Sequence, residues 1–316
     1  MEAPVFADVV AAREFISRYL PKTPLVRSHK LSEALGCDYY LKLENLQPIG
    51  AFKVRGGVNL VGHETTGATL VTASTGNHGQ SIAYAGGLFN TRVIIYAPAE
   101  NTNPAKLQAM RALGAEVRLH GSDFDEARLE TERVAAAEGF RYVHSADEPR
   151  LIAGVGTIGL EIFEDLPDVD VIFAPAGGGS CASGNCLVAH ELNPNVKVIA
   201  VQSADAPAMW HAWRNRNLDP YPTMKTEHEG LATRFPFAMP SQILWELLAD
   251  FVLASDEEIN DTIRLLARDA KQLVEGAGAA SLAGAIKLRD QLRGKKVVGI
   301  VSGGNLPLER FARLLA

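Results

Sequence analysis

From Tyr39 onward, short runs of β-branched and aromatic residues alternate with longer stretches whose apolar positions recur at helical spacing. The short runs fall at 39–43, 69–73, 92–98, 116–121, 141–145, 169–176, 196–202, 251–255 and 295–304. Such alternation predicts an α/β fold, with parallel sheets covered by helices on both faces. One helix can be followed position by position: after Ser255 the apolar residues Ile259, Ile263, Leu266, Ala270 and Leu273 recur at spacings of four and three. Ser255 and Glu258 form a capping box at its start. No repeat, low-complexity tract or Ser/Pro-rich linker divides the chain, so a second domain is expected to be inserted into the first. The proline-bearing stretch 215–240 has little periodicity. It reads either as a functional lid or as a plain surface connection.

With 316 residues, 47% of them hydrophobic, the chain can bury one large core or two moderate ones sharing an interface. Its 31 Lys and Arg against 37 Asp and Glu give a net charge of -6, and no basic run tracks a phosphate backbone, which argues against a nucleic-acid partner. The first twenty residues mix acids and arginines with apolar positions, unlike a secretory signal. No stretch approaches the ~18 consecutive apolar residues of a membrane helix. Cys37, Cys181 and Cys186 are too few and too irregularly spaced for a disulfide framework or a zinc site. A reducing cytoplasm is the expected location.

Four polar or glycine-rich clusters sit where strands end and helices begin, the place where open α/β sheets collect ligands. Lys53 follows a Pro-Ile-Gly turn and Phe52. An amine there becomes a nucleophile toward an aldehyde if burial lowers its pKa, but taken alone it reads first as a solvated surface lysine. Ser74, Thr75, Gly76, Asn77 and His78 offer hydroxyls and helix-start N–H groups suited to a carboxylate, or an ordinary capped helix start. His78 reads on its own as a satisfied histidine without catalytic duty. Gly177, Gly178, Gly179, Ser180 and Cys181 open a helix with several free N–H donors at its positive end, which suits a phosphate dianion. The Walker and Rossmann spacings are absent. Ser302 ends the last strand, where its hydroxyl suits a neutral ring nitrogen or a helix cap, and Glu275 faces either a cofactor or a surface turn. Nothing local decides these two.

The order and spacing of PIGAFKVRGG, STGNHG, GGGSC and VSGGN resemble the fold-type-II pyridoxal-phosphate enzymes, in the branch of serine/threonine dehydratases (threonine ammonia-lyases) and serine racemases. The resemblance spans nearly the whole chain. It implies a two-domain, tryptophan-synthase-β-like fold: residues 1–54 and 147–316 form a large cofactor-binding domain, and 55–146 a smaller inserted domain carrying the substrate loop. It implies pyridoxal 5′-phosphate held as a Schiff base on Lys53, with Phe52 near the ring. Asn77 would reach the phenolic oxygen, Gly177 to Cys181 the phosphate, Ser302 the pyridine nitrogen, and Ser74 to His78 the substrate carboxylate. The implied reaction is β-elimination of L-threonine or L-serine, with Lys53 and Thr75 as the catalytic pair, in a cytoplasmic homo-oligomer.

Three departures qualify the match. Ala51 replaces a serine common in relatives. Thr75 stands where racemases of the branch carry a protonating serine, so racemisation is expected at most as a minor activity. Gln202 and Ala208 stand where the branch's divalent-metal acids lie, so that metal site is not expected. No room is expected for an isoleucine-sensing C-terminal domain. Within the fold the alternatives are a racemase, or a dehydratase of hydroxyaspartate or phenylserine. Outside catalysis the alternative is a cofactor-binding regulatory protein, against which intact Lys53, Asn77 and Ser302 argue.

Overall fold

The structure, a computed structural model, describes residues 1–100, 102 and 104–315. Its strands are β1 (Leu25–Arg27), β2 (Asp38–Leu43), β3 (Thr69–Ala73), β4 (Arg92–Ala97), β5 (Glu116–Leu119), β6 (Arg141–Tyr142), β7 (Val171–Pro175), β8 (Lys197–Ser203), β9 (Asp250–Ala254) and β10 (Lys296–Val301). They form two sheets, a six-stranded one in the order β1-β2-β10-β7-β8-β9 and a four-stranded one in the order β5-β4-β3-β6. All pairings are parallel except that of β1 with β2.

The unbroken apolar character of the central strands follows from burial on both faces. In β7, Val171 and Phe173 belong to one core cluster while Ile172 and Ala174 belong to the cluster on the opposite face. Neighbouring strands continue the alternation: Ile199 and Val201 join the first set, Val198 and Ala200 the second. The small sheet repeats the scheme, with Leu70, Val93 and Ile95 facing one core and Val71, Ile94 and Tyr96 the other. The two-residue period of a strand therefore sends alternate side chains into separate helix layers.

All nine expected strands are present within a few residues. β1 was not anticipated, because three residues on an antiparallel edge carry too short a pattern. The helix after Ser255 has its capping box, but the regular helix runs only over Asp256–Leu265. A π-turn follows at Leu266–Ala270, and Lys271, at φ +58°, ends it. Leu273, expected on the buried face, is 58% exposed.

Beneath the site lies a charged core. Lys42, Glu44 and Glu161 are fully buried and Arg55 is 1% exposed. Arg55 bonds Glu44 through Nε and Nη2, at 2.7 and 2.8 Å, and Glu161 through Nη1 and Nη2, at 2.8 and 2.7 Å. Lys42 donates to Glu161 at 2.6 Å and to the Thr23 carbonyl at 2.7 Å. Two cations thus meet two carboxylates, and the set ties helix Lys53–Val61 to helix Pro149–Asp165 and to β2.

Candidate active site

A cavity of about 610 Å³ opens at the carboxyl ends of the parallel strands, lined from both sheets. Lys53, Ser74 and Ser302 follow or end β2, β3 and β10, and the glycine loop follows β7, as the strand-end rule requires. Every residue singled out from the sequence for the site lines this one cavity: Phe52, Lys53, Ser74 to His78, Gly177 to Cys181, Glu275 and Ser302.

Lys53 opens helix Lys53–Val61. The turn before it is stitched to the end of β10: Phe52 donates its N–H to the Ser302 carbonyl at 2.9 Å, and Ala51 bridges Gly303. Ser81 donates to the Lys53 carbonyl at 2.6 Å. The side chain points inward, its Nζ donating to Ser180 Oγ at 3.2 Å and to the Ser145 carbonyl at 3.3 Å, and lying 5.5 Å from the Phe52 ring centre. Burial pushes its pKa down to about 8. The surface-lysine alternative is therefore set aside by the geometry.

Around it, the Ser74 hydroxyl accepts the N–H groups of Gly79 at 2.9 Å and Gly76 at 3.2 Å, shaping the start of helix Asn77–Leu88. His78 is buried, its Nε2 3.0 Å from the Thr72 hydroxyl. That hydroxyl donates to the Val143 carbonyl at 2.8 Å, so the imidazole donates through Nε2–H. Burial, then the Lys53 charge, drives its pKa well below the usual imidazole value, leaving a neutral, satisfied ring. Asn77 donates to Glu275 at 2.6 Å. Burial raises the Glu275 carboxyl above its ordinary range, against the lowering influence of Lys106 and of this hydrogen bond.

The glycine loop leaves no space for side chains. A Cβ on Gly177 would stand 2.3 Å from the Gly230 carbonyl oxygen, and Gly179, at φ +88°, caps helix Ser180–Leu192. Backbone N–H groups at a helix start and a compact hydroxyl at Ser180 fit a phosphate. Cys181 offers its N–H rather than its thiol, which burial holds protonated. Ser302 Oγ is buried without a hydrogen-bond partner among the described residues, an orphan hydroxyl on the cavity wall that fits an acceptor such as a pyridine nitrogen.

Sequence reasoning missed Ser145, His144, Thr72 and Lys106, and it gave Asn305, the last residue of the VSGGN motif, no role of its own. Ser145 and His144 end the run at 141–145, so the strand-end argument already pointed at them. His144 Nδ1 accepts the N–H groups of Ala146 and Asp147 at 3.1 and 2.9 Å, and burial lowers its pKa. The stretch 215–240 contributes Met224, Thr226, Glu229, Gly230 and residues 232–237 to the wall. It is a wall of the site, and its last residues open helix Ala238–Leu247. Glu227, His228 and Asp256 also gather, but the Asp256 carboxylate accepts from Ser203, Thr226 and the Glu227 N–H, as a clasp between loops does.

Comparison with known proteins agrees with this geometry. An L-threonine ammonia-lyase of Thermotoga maritima is 38% identical over 315 residues, covering 98% of this chain and 77% of that one. A threonine deaminase of Solanum lycopersicum superposes with a TM-score of 0.92 at 29% identity, covering 98% of this chain and 90% of that one. Maize serine racemase superposes with a TM-score of 0.93 at 26% identity, covering 99% and 97%. The family model of pyridoxal-phosphate dependent enzymes matches residues 16–303, and with an inward-pointing lysine, a glycine cradle and an orphan serine on one cavity, the chain belongs to that family.

Proposed function

We propose that the protein is an ammonia-lyase that eliminates the β-hydroxyl of L-threonine or L-serine, giving 2-oxobutanoate or pyruvate and ammonia. The reading rests on one observation above the others: the Lys53 amine, lowered to about 8 by burial, shares a cavity with a phosphate cradle and an unpaired hydroxyl. The identity to an L-threonine ammonia-lyase supports the substrate.

In this reading Lys53 Nζ would hold the cofactor's aldehyde carbon, the N–H groups of Gly177 to Cys181 and the Ser180 hydroxyl would hold its phosphate, and Ser302 would meet its ring nitrogen. Asn77 would meet its phenolic oxygen and Phe52 would lie near the ring. The bound cofactor supplies an electron sink for the pair left at the substrate's α-carbon. The chain supplies position and proton transfer. Free N–H groups at the start of helix Asn77–Leu88, with Ser74, Thr75 and Gly76, hold the substrate carboxylate and fix the direction of the Cα–H bond. Lys53 Nζ, once released, takes the α-proton, and its lowered pKa makes the neutral amine accessible near neutral pH. Ser302, a hydroxyl rather than a carboxylate, would offer the ring nitrogen no acidic partner to keep it protonated, a setting that would favour prompt loss of the hydroxyl over racemisation. Thr75 carries a hydroxyl able to exchange a proton on the other face, as the minor activity.

The domain reading follows the sheets, with 1–54 and 147–316 as the cofactor unit and 55–146 as the inserted unit. A cytoplasmic homodimer completes the proposal; three free, buried cysteines suit a reducing compartment. The test is the visible spectrum of the purified protein before and after L-threonine, L-serine and hydroxyaspartate, with keto acid assayed. Lys53→Ala is expected to lose the visible band and at least ~10³-fold in turnover. Full activity in that variant would overturn the assignment.

A further inference from the structure

Asn305 follows the Ser302–Gly304 turn, and its Nδ2 lies 2.9 Å from the Ile49 carbonyl oxygen and 2.8 Å from Asn77 Oδ1. A carbonyl oxygen has no hydrogen to give, so the atom of Asn305 that faces Ile49 is its NH2 group. The orientation of the Asn305 amide is thereby fixed. Its second hydrogen needs an acceptor, so the atom of Asn77 that receives it is the oxygen. The Asn77 NH2 group is left on the other side, where one hydrogen goes to Glu275 Oε1 at 2.6 Å. The second has no protein partner among the described residues, and Asn77 lines the cavity.

The turn ahead of Lys53 is shaped around the same amide. Gly50 sits at φ +68°, and a Cβ there would stand 2.7 Å from Asn305 Oδ1. Asn305 therefore links two loops of the site, the Ile49–Gly50 turn that leads to Lys53 and the loop that carries Asn77.

We propose that Asn305 is a positioning residue, which holds the Asn77 amide so that it presents an N–H, never its carbonyl oxygen, to the phenolic oxygen of the cofactor. The inference rests on the role of Asn77 proposed above. A donor aimed at an anionic oxygen favours the deprotonated chromophore, so losing it moves the chromophore's transition to higher pH. Asn305→Ala frees Asn77 to turn. Asn305→Asp, nearly the same shape, cannot donate to either neighbour and favours the turned amide, with its oxygen toward Glu275 and the cavity.

The experiment is a pH titration of the visible band of the holoenzyme, together with cofactor affinity. Both variants are expected to raise the transition by about one pH unit and weaken cofactor binding about tenfold, the scale of one charge-assisted hydrogen bond. In an Asn77→Ala background, adding Asn305→Ala is expected to shift the transition no further. If either variant fails to fold, Asn305→Ser replaces it, since one hydroxyl hydrogen cannot serve both Ile49 and Asn77. A drop in thermal stability with an unmoved transition would make Asn305 merely structural and overturn the inference, as would a second shift in the Asn77→Ala background. The underlying readings fail in other ways: a colourless wild-type holoenzyme sinks the Lys53 assignment, and an unmoved band in Asn77→Ala alone sinks the role of Asn77, each taking the inference with it.

Discussion

Ser302 carries a hydroxyl that folding alone leaves unused, and this gives it opposite effects on the two states of the protein. A buried, unpaired hydroxyl costs free energy, so Ser302→Ala is expected to stabilise the cofactor-free protein by about 1 kcal/mol. The same change would remove the hydrogen bond proposed to the ring nitrogen and is expected to weaken cofactor binding about two- to tenfold. Thermal unfolding of the free protein and a cofactor titration read the two effects separately, and a destabilised free protein would mean that the hydroxyl serves the fold. At this scale the sequence was informative where chemistry needs a rare residue type in a rare setting. Lys53 beside a glycine turn and three successive glycines stand out in one dimension. Asn305 stands in the VSGGN motif, but its role does not show there, because it depends on which amide atom it faces across the chain, and Thr72 gives no signal of its own. The partner of His78, the Thr72 hydroxyl, is only six residues away on the preceding strand.

Helix Lys53–Val61 is placed by a buried charge network as well as by its apolar residues Val54, Val58, Leu60 and Val61, since Arg55 points into the protein between Glu44 and Glu161. Burial alone would raise the Glu161 carboxyl, but hydrogen bonds and charge from Arg55 and Lys42 outweigh it and hold the group at about 2. A carboxyl whose folded pKa lies below its ordinary 4.5 stabilises the fold above that value, and the contribution fades as pH falls toward 2. Glu161→Ala leaves two buried cations short of a partner and is expected to cost about 3–5 kcal/mol near neutral pH. In denaturant unfolding the gap to wild type is expected to narrow at about pH 3, where the wild-type carboxylate loses its advantage. A gap independent of pH would place the cost in packing instead. Elements were legible wherever an apolar run persisted in the sequence for five residues or more, as it does around nine of the strands, even where the paired part is as short as the two residues of β6. The network was not, since Lys42, Glu44, Arg55 and Glu161 read in sequence as surface charges and only their convergence buries them.

Across the whole molecule the cavity is closed by residues from both sheets, and Lys106 is a point where the two sides meet. It lies on helix Pro104–Ala112, beside the small sheet, and pairs with Glu229 in the 215–240 stretch between the large sheet's β8 and β9. The lysine side chain is largely buried and the glutamate half-exposed, and both line the main cavity and a neighbouring one of about 320 Å³. The pair holds the 215–240 wall of the site against helix Pro104–Ala112, so removing either partner is expected to raise KM about two- to fivefold, the scale of a partly exposed ion pair. The two partners act oppositely on Glu275. The Lys106 charge lowers its pKa and the Glu229 charge raises it. Because Asn77 donates to the Glu275 carboxylate, protonating that group disturbs the site, and the acid limb of the activity profile is expected to follow it. Lys106→Met should therefore move the acid limb to higher pH and Glu229→Gln should move it to lower pH, while both raise KM. The measurement is kcat/KM across pH for the two variants. Shifts of the same sign would detach the acid limb from Glu275, and an unchanged KM in both would show that the cavity closes without this pair.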